Sequence, residues 1–278
     1  MAHTDQLAQA HQRIEHAVQA IVTGDQWQQM LNVAARFHTY SPNNIWLILA
    51  QSPDATQVAG FHTWRKLGRQ VRKGERGIAI LAPMVSRARP IDDTDTAAHP
   101  GLVRVLRGFR VVYVFDLAQT DGNPIPDVTP TMLTGQDPTG WYDQVAALVV
   151  AAGFTLQRQD CSPANGTTNF TTRQVTVHPD LSPAQAVKTL THEVGHVLLH
   201  DDTERTVTDR ARTEVEAESV AYLVCATLGI DSDDYSFPYL ARWSHGDVEL
   251  IRATAERAMS CARRILTDLG MAVTNRAA

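Results

Sequence analysis

The sequence predicts an α+β protein of two domains in series: an N-terminal α+β module over residues 1–125 and a mainly helical module with a small sheet over 140–278. Three observations carry this. The helical periodicity of the first 51 residues gives way to segments rich in Ile, Val, Tyr and Phe, which is the texture of strands. A stretch dense in proline and glycine, Gln119 to Gly140, then interrupts both patterns, and its residues 126–139 are taken as a linker. Beyond it long helical patterns dominate, and one of them holds His192-Glu193-Val194-Gly195-His196. A chain of 278 residues has room for two domains of roughly 100–150 residues each.

Taken in order, Leu7, Ile14, Val18, Ile21 and Val22 stand at helical spacing over 5–22. Trp27, Met30, Leu31, Val33 and Ala34 repeat the pattern from Asp25 to Phe37, and a short helix follows from Asn43 to Gln51. Gly77–Val85 and Leu102–Leu117 are strands, separated by a polar loop from Ser86 to Gly101. After the linker come a helix (Trp141–Ala152), a strand (Phe154–Gln159), a Gly/Asn/Thr turn at Asn165–Thr168 and a strand at Gln174–His178. Ser182 followed by Pro183 then opens a long helix, with Ser as N-cap and Pro at the first helical position. Further helices are expected at about 207–228 and 246–269.

Composition narrows the class. With 44% hydrophobic and 20% charged residues the chain can bury a core. The longest apolar run, Val145 to Phe154, falls short of the roughly 18–20 residues of a bilayer span, so no membrane role is expected. The N-terminal residues show no basic run followed by an apolar stretch, and Cys161, Cys225 and Cys261 have no paired spacing. Both features fit a reducing cytoplasm. Charge is uneven: residues 1–125 carry 13 Lys/Arg against 10 Asp/Glu, and residues 126–278 carry 12 against 20. Such asymmetry points to a nucleic-acid-facing first half.

The strongest motif is His192-Glu193-Val194-Gly195-His196. Positions four apart on a helix differ by only about 40°, so two imidazoles converge on one ion. Glu193, turned by about 100°, misses the ligand set but reaches a water acidified by the metal and can take its proton. Chance gives roughly 0.01 copies of this pattern in a chain of this composition. Its apolar neighbours, Val187, Leu190, Val194 and Leu198 among them, place it on a core helix, and Gly195 marks a close approach. A catalytic zinc takes three protein ligands and keeps one position open. Glu214 lies nearest the apolar stripe of the next helix, about 60° from its centre, and is the first candidate for the third; Glu218 is the alternative. Glu216 fits a solvated face paired with Arg210 and Arg212. His200, at the helix end, is read as meeting the last carbonyls rather than the metal. Tyr222, Tyr235, Tyr239 and His245 are candidate transition-state donors, and the sequence does not choose among them.

From about residue 140 onward, through HEVGHVLLH and EVEAESVAYLV, the chain resembles the ImmA/IrrE-type zinc metallopeptidases. The resemblance implies a zincin-like fold, a Zn2+ cofactor and peptide-bond hydrolysis of a protein substrate that the sequence does not name. The third ligand of that group is the first Glu of Glu-x-x-Ala-[Asp/Asn/Glu], which falls on Glu214. Glu218 then corresponds to the carboxylate that orients a ligand histidine, with Glu here where Asp or Asn is usual.

The first half has its own dense segment. Eight Lys/Arg lie between Tyr40 and Arg89, opposed only by Asp54 and Glu75. From Phe61 to Gly77 the pattern reads as a short helix, a tight glycine turn and a strand. Cations that track phosphates beside aromatic rings that stack bases are what single-stranded DNA requires. Tyr40-Ser41-Pro42-Asn43-Asn44, Val58-Ala59-Gly60-Phe61, Trp64, Leu67-Gly68 and Val71-Arg72-Lys73-Gly74-Glu75 occur in that order. With Val114-Phe115-Asp116 and Gln119-Thr120-Asp121-Gly122, they resemble the N-terminal domain of ArdC-type antirestriction proteins, which binds single-stranded DNA. The resemblance places DNA contacts on Asn44, Trp64, Lys66, Arg69, Arg72, Lys73 and Arg76, and implies protection of incoming DNA of mobile elements. Two other functions remain open: a DNA-binding protein whose metal site is structural or vestigial, and a regulatory protease that cleaves a repressor.

Overall fold

The computed structural model describes residues 3–21, 23–88, 103–124, 140–200, 207–230 and 247–271. Three helices come first: α1 (His3–Gln19), α2 (Gly24–Arg36) and α3 (Pro42–Gln51). A capping box starts α2, with the Thr23 side chain accepting from the Gln26 amide while Gln26 accepts from the Thr23 amide. Next come β1 (Val58–Gly60), α4 (Phe61–Lys66), β2 (Arg69–Val71), β3 (Ile78–Ala88), β4 (Val103–Asp116) and β5 (Thr120–Gly122). β1, β4 and β3 form an antiparallel sheet in that order, and β2 pairs with β5 as a separate ribbon. The β3–β4 register shifts between Met84 and Val85, where Gly108 stands opposite Met84 with φ 142°.

As an edge strand β3 exposes unpaired peptide groups, a liability unless something covers them. Two amide side chains of α3 do so. Asn44 donates to the Leu81 carbonyl (2.9 Å) and accepts from its amide (2.8 Å), and Gln51 makes the same pair with Ala79 (2.9 and 3.0 Å). Leu81 and Ala79 are two apart, so their peptide groups face the same edge.

The C-terminal half contains α5 (Trp141–Ala151), β6 (Thr155–Arg158), β7 (Gly166–Asn169), β8 (Gln174–Val177), α6 (Pro183–Leu199), α7 (Val207–Leu228) and α8 (Val248–Asp268). The sheet order is β6–β8–β7, with β6 parallel and β7 antiparallel to β8. The turn expected at Asn165–Thr168 is therefore largely strand. The chain reverses just after it, where Arg173 takes φ 51° and its guanidinium donates to the Ala152 and Gly153 carbonyls. Ser182 caps α6 as expected, its hydroxyl accepting from Gln185.

One buried cluster runs through both halves. α2 lies along α7, where the fully buried Trp27 donates its indole N–H to the Ser219 hydroxyl at 3.0 Å. From α8, Arg263 donates to the His38 carbonyl (3.1 Å) and Arg252 to the Asn43 side chain (3.3 Å). Helices α1 and α3 thus pack on the β3–β4 hairpin and on α8, and α2 packs on α7. The loop expected from Ser86 is still strand as far as Ala88, and its remainder, with the linker 126–139, lies outside the described residues.

Candidate functional site

α6 and α7 meet where Gly195 has no side chain: a Cβ there would stand 3.2 Å from the Ala217 Cα. That close approach brings together three side chains able to ligate a metal. His192 Nε2 and His196 Nε2 are 3.1 Å apart, and Glu214 reaches them at 3.4 and 3.7 Å. All three donor atoms lie within 4.8 Å of one another. Zinc with bonds of about 2.0–2.1 Å in tetrahedral geometry sets two nitrogens roughly 3.3 Å apart, so the donor set fits such an ion. The other ring nitrogens are held as well. His192 Nδ1 lies 3.0 Å from Glu218 Oε2, and the second Glu218 oxygen is 3.6 Å from the ammonium of the buried Lys188.

Burial alone would lower the pKa of His192. The carboxylates of Glu214 and Glu218, with the charge of Glu193, outweigh it and push it up to about 10. The same hydrogen bonds, from His192 and then His196, hold Glu214 well below the usual carboxylate range.

Glu193, whose charge acts on His192, also reaches β7. Its Oε2 accepts from the Thr168 hydroxyl at 2.7 Å. A Cβ on Gly166 would come within 2.8 Å of Oε1 and 2.6 Å of Thr189 Cγ2, so only glycine leaves the carboxylate its place. Neither Gly166 nor Thr168 was legible as part of the site, because a Gly/Asn/Thr segment reads as a turn.

The acidic run of α7 is arranged differently from the helical-wheel expectation. The side chain of Glu214 is 65% exposed and that of Glu216 is 0% exposed. α7 packs against α6, α2 and α8 together, so it has no single apolar stripe from which burial could be read. Glu216 does lie near Arg212 (3.9 Å), as expected, but inside the protein, with Arg257 of α8 closer at 3.2 Å. His200 is also placed differently. Its ring does not cap carbonyls: Nδ1 faces His196 Nδ1 at 3.0 Å and Nε2 faces Glu216 at 2.9 Å. Among the tyrosines, Tyr222 bonds the Asn32 side chain of α2; Tyr235, Tyr239 and His245 lie outside the described residues.

In the basic half, several expected DNA contacts belong to the fold instead. Asn44 clips the β3 edge, and Trp64 is 2% exposed with its indole donating to the Phe115 carbonyl at 2.9 Å. Arg69 donates to the Thr120 hydroxyl and to the carbonyls of Thr120, Gly122 and Asn123, locking β2 to β5. Arg72 is drawn to Glu75 (2.8 Å), Asp121 (3.5 Å) and the Ala118 carbonyl (2.6 Å). Lys66, Lys73 and Arg76 remain exposed to solvent. β4 carries an aromatic surface that the sequence reading missed. Phe109 (45% exposed) and Tyr113 (53% exposed) are four apart on β4 and share a face, with Phe61 exposed nearby in sequence to the basic segment. Arg107 precedes them on the strand, and Arg110 lies between them on the opposite face. Among the described residues, six of the seven exposed large hydrophobics fall between Phe61 and Tyr113, so the apolar surface is concentrated in this half.

Residues 4–115 match the N-terminal domain of anti-restriction factor ArdC, and residues 149–227 match the IrrE N-terminal-like domain of the M78 peptidase family. The metal-free crystal structure of the antirestriction ArdC protein from plasmid R388 is similar with TM-score 0.53 and 22% identity, over 84% of this chain and 86% of that one. Its Mn(II)-bound structure gives TM-score 0.50 and 21% identity, over 85% and 86%. An uncharacterised protein of Bacillus anthracis is 24% identical over 250 residues, which are 78% of this chain and 42% of that protein, so the chain spans less than half its length.

Proposed function

The chain is an ArdC-type fusion of an anti-restriction N-terminal domain with an IrrE-like domain, and from that premise we propose that it binds single-stranded DNA and hydrolyses peptide bonds at a divalent-metal centre. The reading of the second half rests above all on the convergence of His192, His196 and Glu214 beside a separately anchored Glu193. Two imidazoles, one carboxylate and an open position are the catalytic donor set of zinc, and we assign that ion. When bound, it polarises a carbonyl and acidifies a water. Glu193 takes the proton and returns it to the leaving amine; Thr168 holds one carboxylate oxygen while Gly166 leaves the other uncrowded. Glu218 fixes the His192 ring with Nε2 turned toward His196 and Glu214, where these three residues would hold the ion.

Elemental analysis of wild type beside His192→Ala tests the centre: about one zinc per chain, lost in the variant, is expected. Glu193→Gln should keep its metal and lose hydrolysis of an unfolded protein substrate by a factor of about 10²–10⁴. Full activity in that variant removes the mechanism. If protection of DNA from restriction in cells survives Glu193→Gln, the antirestriction role is independent of proteolysis.

For the first half, we place base stacking on Phe109 and Tyr113, with Lys66, Lys73 and Arg76 meeting phosphates. Anisotropy of a labelled oligothymidine should show each aromatic→Ala change weakening binding by about tenfold, in line with roughly 1–3 kcal/mol per stacked base. Neutralising the three cations should instead flatten the salt dependence. Unchanged binding by the double variant Phe109→Ala/Tyr113→Ala would move the DNA surface elsewhere.

A further inference from the structure

We propose that His200 is a positioning residue for His196, and that through Glu216 and Arg257 it ties the metal centre to the C-terminal helix α8. The inference rests on the metal-centre reading above. The two ligand histidines are supported unequally. His192 Nδ1 faces a carboxylate, Glu218. His196 Nδ1 faces another imidazole, His200 Nδ1, at 3.0 Å. Two ring nitrogens at that separation share one proton. For His196 to offer a lone pair at Nε2, the proton sits on its Nδ1, and His200 Nδ1 accepts it. The remaining His200 proton is then on Nε2, which donates to Glu216 Oε2 at 2.9 Å.

Both ring nitrogens of His200 are therefore used, which leaves none for a metal. Its side chain is 3% exposed and that of Glu216 is 0% exposed, so water does not compete for these bonds. A buried carboxylate is costly unless paired and hydrogen-bonded. Arg257 supplies the charge, with Nε 3.2 Å from Glu216 Oε1, and donates through Nη2 to the Leu199 carbonyl at 2.6 Å. The chain His196–His200–Glu216–Arg257 thus spans α6, α7 and α8. It places a neutral acceptor beside the ligand and keeps the negative charge one ring further away.

Two variants with opposite losses separate acceptance from packing. His200→Leu fills space without an acceptor; His200→Asn keeps an oxygen near the position of Nδ1 but fills less. Zn2+ affinity is read by chelator competition, Co2+ geometry by its visible absorption, and folding by thermal melting. Expected are a roughly 10–100-fold loss of Zn2+ affinity and an altered Co2+ spectrum in His200→Leu, with recovery to within a few-fold in His200→Asn. If His200→Leu does not fold, retention of affinity in His200→Asn supports the inference. Unchanged affinity in His200→Leu, or an equal loss in both variants, overturns it. A wild-type protein that takes up no Zn2+ removes the underlying metal reading, and this inference with it.

Discussion

At the scale of single residues, a cation bound at His192 would have to displace a proton. The His192 pKa is raised from 6.5 to about 10, so the proton competes at every pH below that value. Apparent metal affinity should rise with pH between about 6 and 9, up to tenfold per unit, as chelator competition at several pH values would reveal; a flat profile would show His192 neutral. The sign for stability follows from the same bonds. The contribution of His192 to the cation-free fold is complete below its ordinary 6.5 and is lost as pH rises through about 10. That of Glu214 is present above 4.5 and is lost as pH falls through its depressed value. A second prediction concerns Gly166→Ala, whose methyl meets Thr189 and Glu193. Metal stoichiometry should stay at wild-type level while hydrolysis falls at least tenfold; equal activity would mean that Glu193 is not held there. The His192–His196 pair was legible because its spacing is local. Gly166 was not, since its role depends on a strand and a helix that meet only in the fold.

Among the elements, the α6–α7 contact decides the site. Gly195→Ala should raise helix propensity by about 1 kcal/mol, yet its Cβ meets the backbone of Ala217, which cannot swing aside. The expected net result is a lower melting temperature and weaker metal binding, because α7 carries both Glu214 and Glu218 away from the histidines. A stabilised variant with intact affinity would show that α7 shifts freely. Most helices were visible in the sequence from periodicity and caps: Ser182-Pro183 marks the start of α6. β7 was missed because Gly166 and Asn169, which bracket its two threonines, are poor strand formers that read as turn residues, and the segment is held by pairing with β8. The basic run was visible as charge, but not the fate of its charges: Arg69 spends its donors on the β2–β5 ribbon and Arg72 on Glu75 and the Ala118 carbonyl.

For the whole molecule, the shared core sets how it unfolds. Tryptophan fluorescence and metal release should trace one transition, since a single buried core and the α2–α7 seam couple the two halves. Two resolved transitions would show independent domains. Trp27→Ala should cost about 3–5 kcal/mol and lower the stability of the metal centre, although it lies in the other half of the sequence. The proline-rich boundary was legible as composition, whereas the α2–α7 seam, made by residues 192 positions apart, had no local signal. That seam also bears on inheritance. A recombination event that joined the first 125 residues of one relative to the remainder of another would mate two unmatched halves of a core. The segment from β1 to β5 makes its closest contacts with α1, α3 and itself. Exchanged as a cassette between α3 and α5, it would leave the α2–α7 seam intact, so this segment could vary by exchange without remaking the core that joins the two halves.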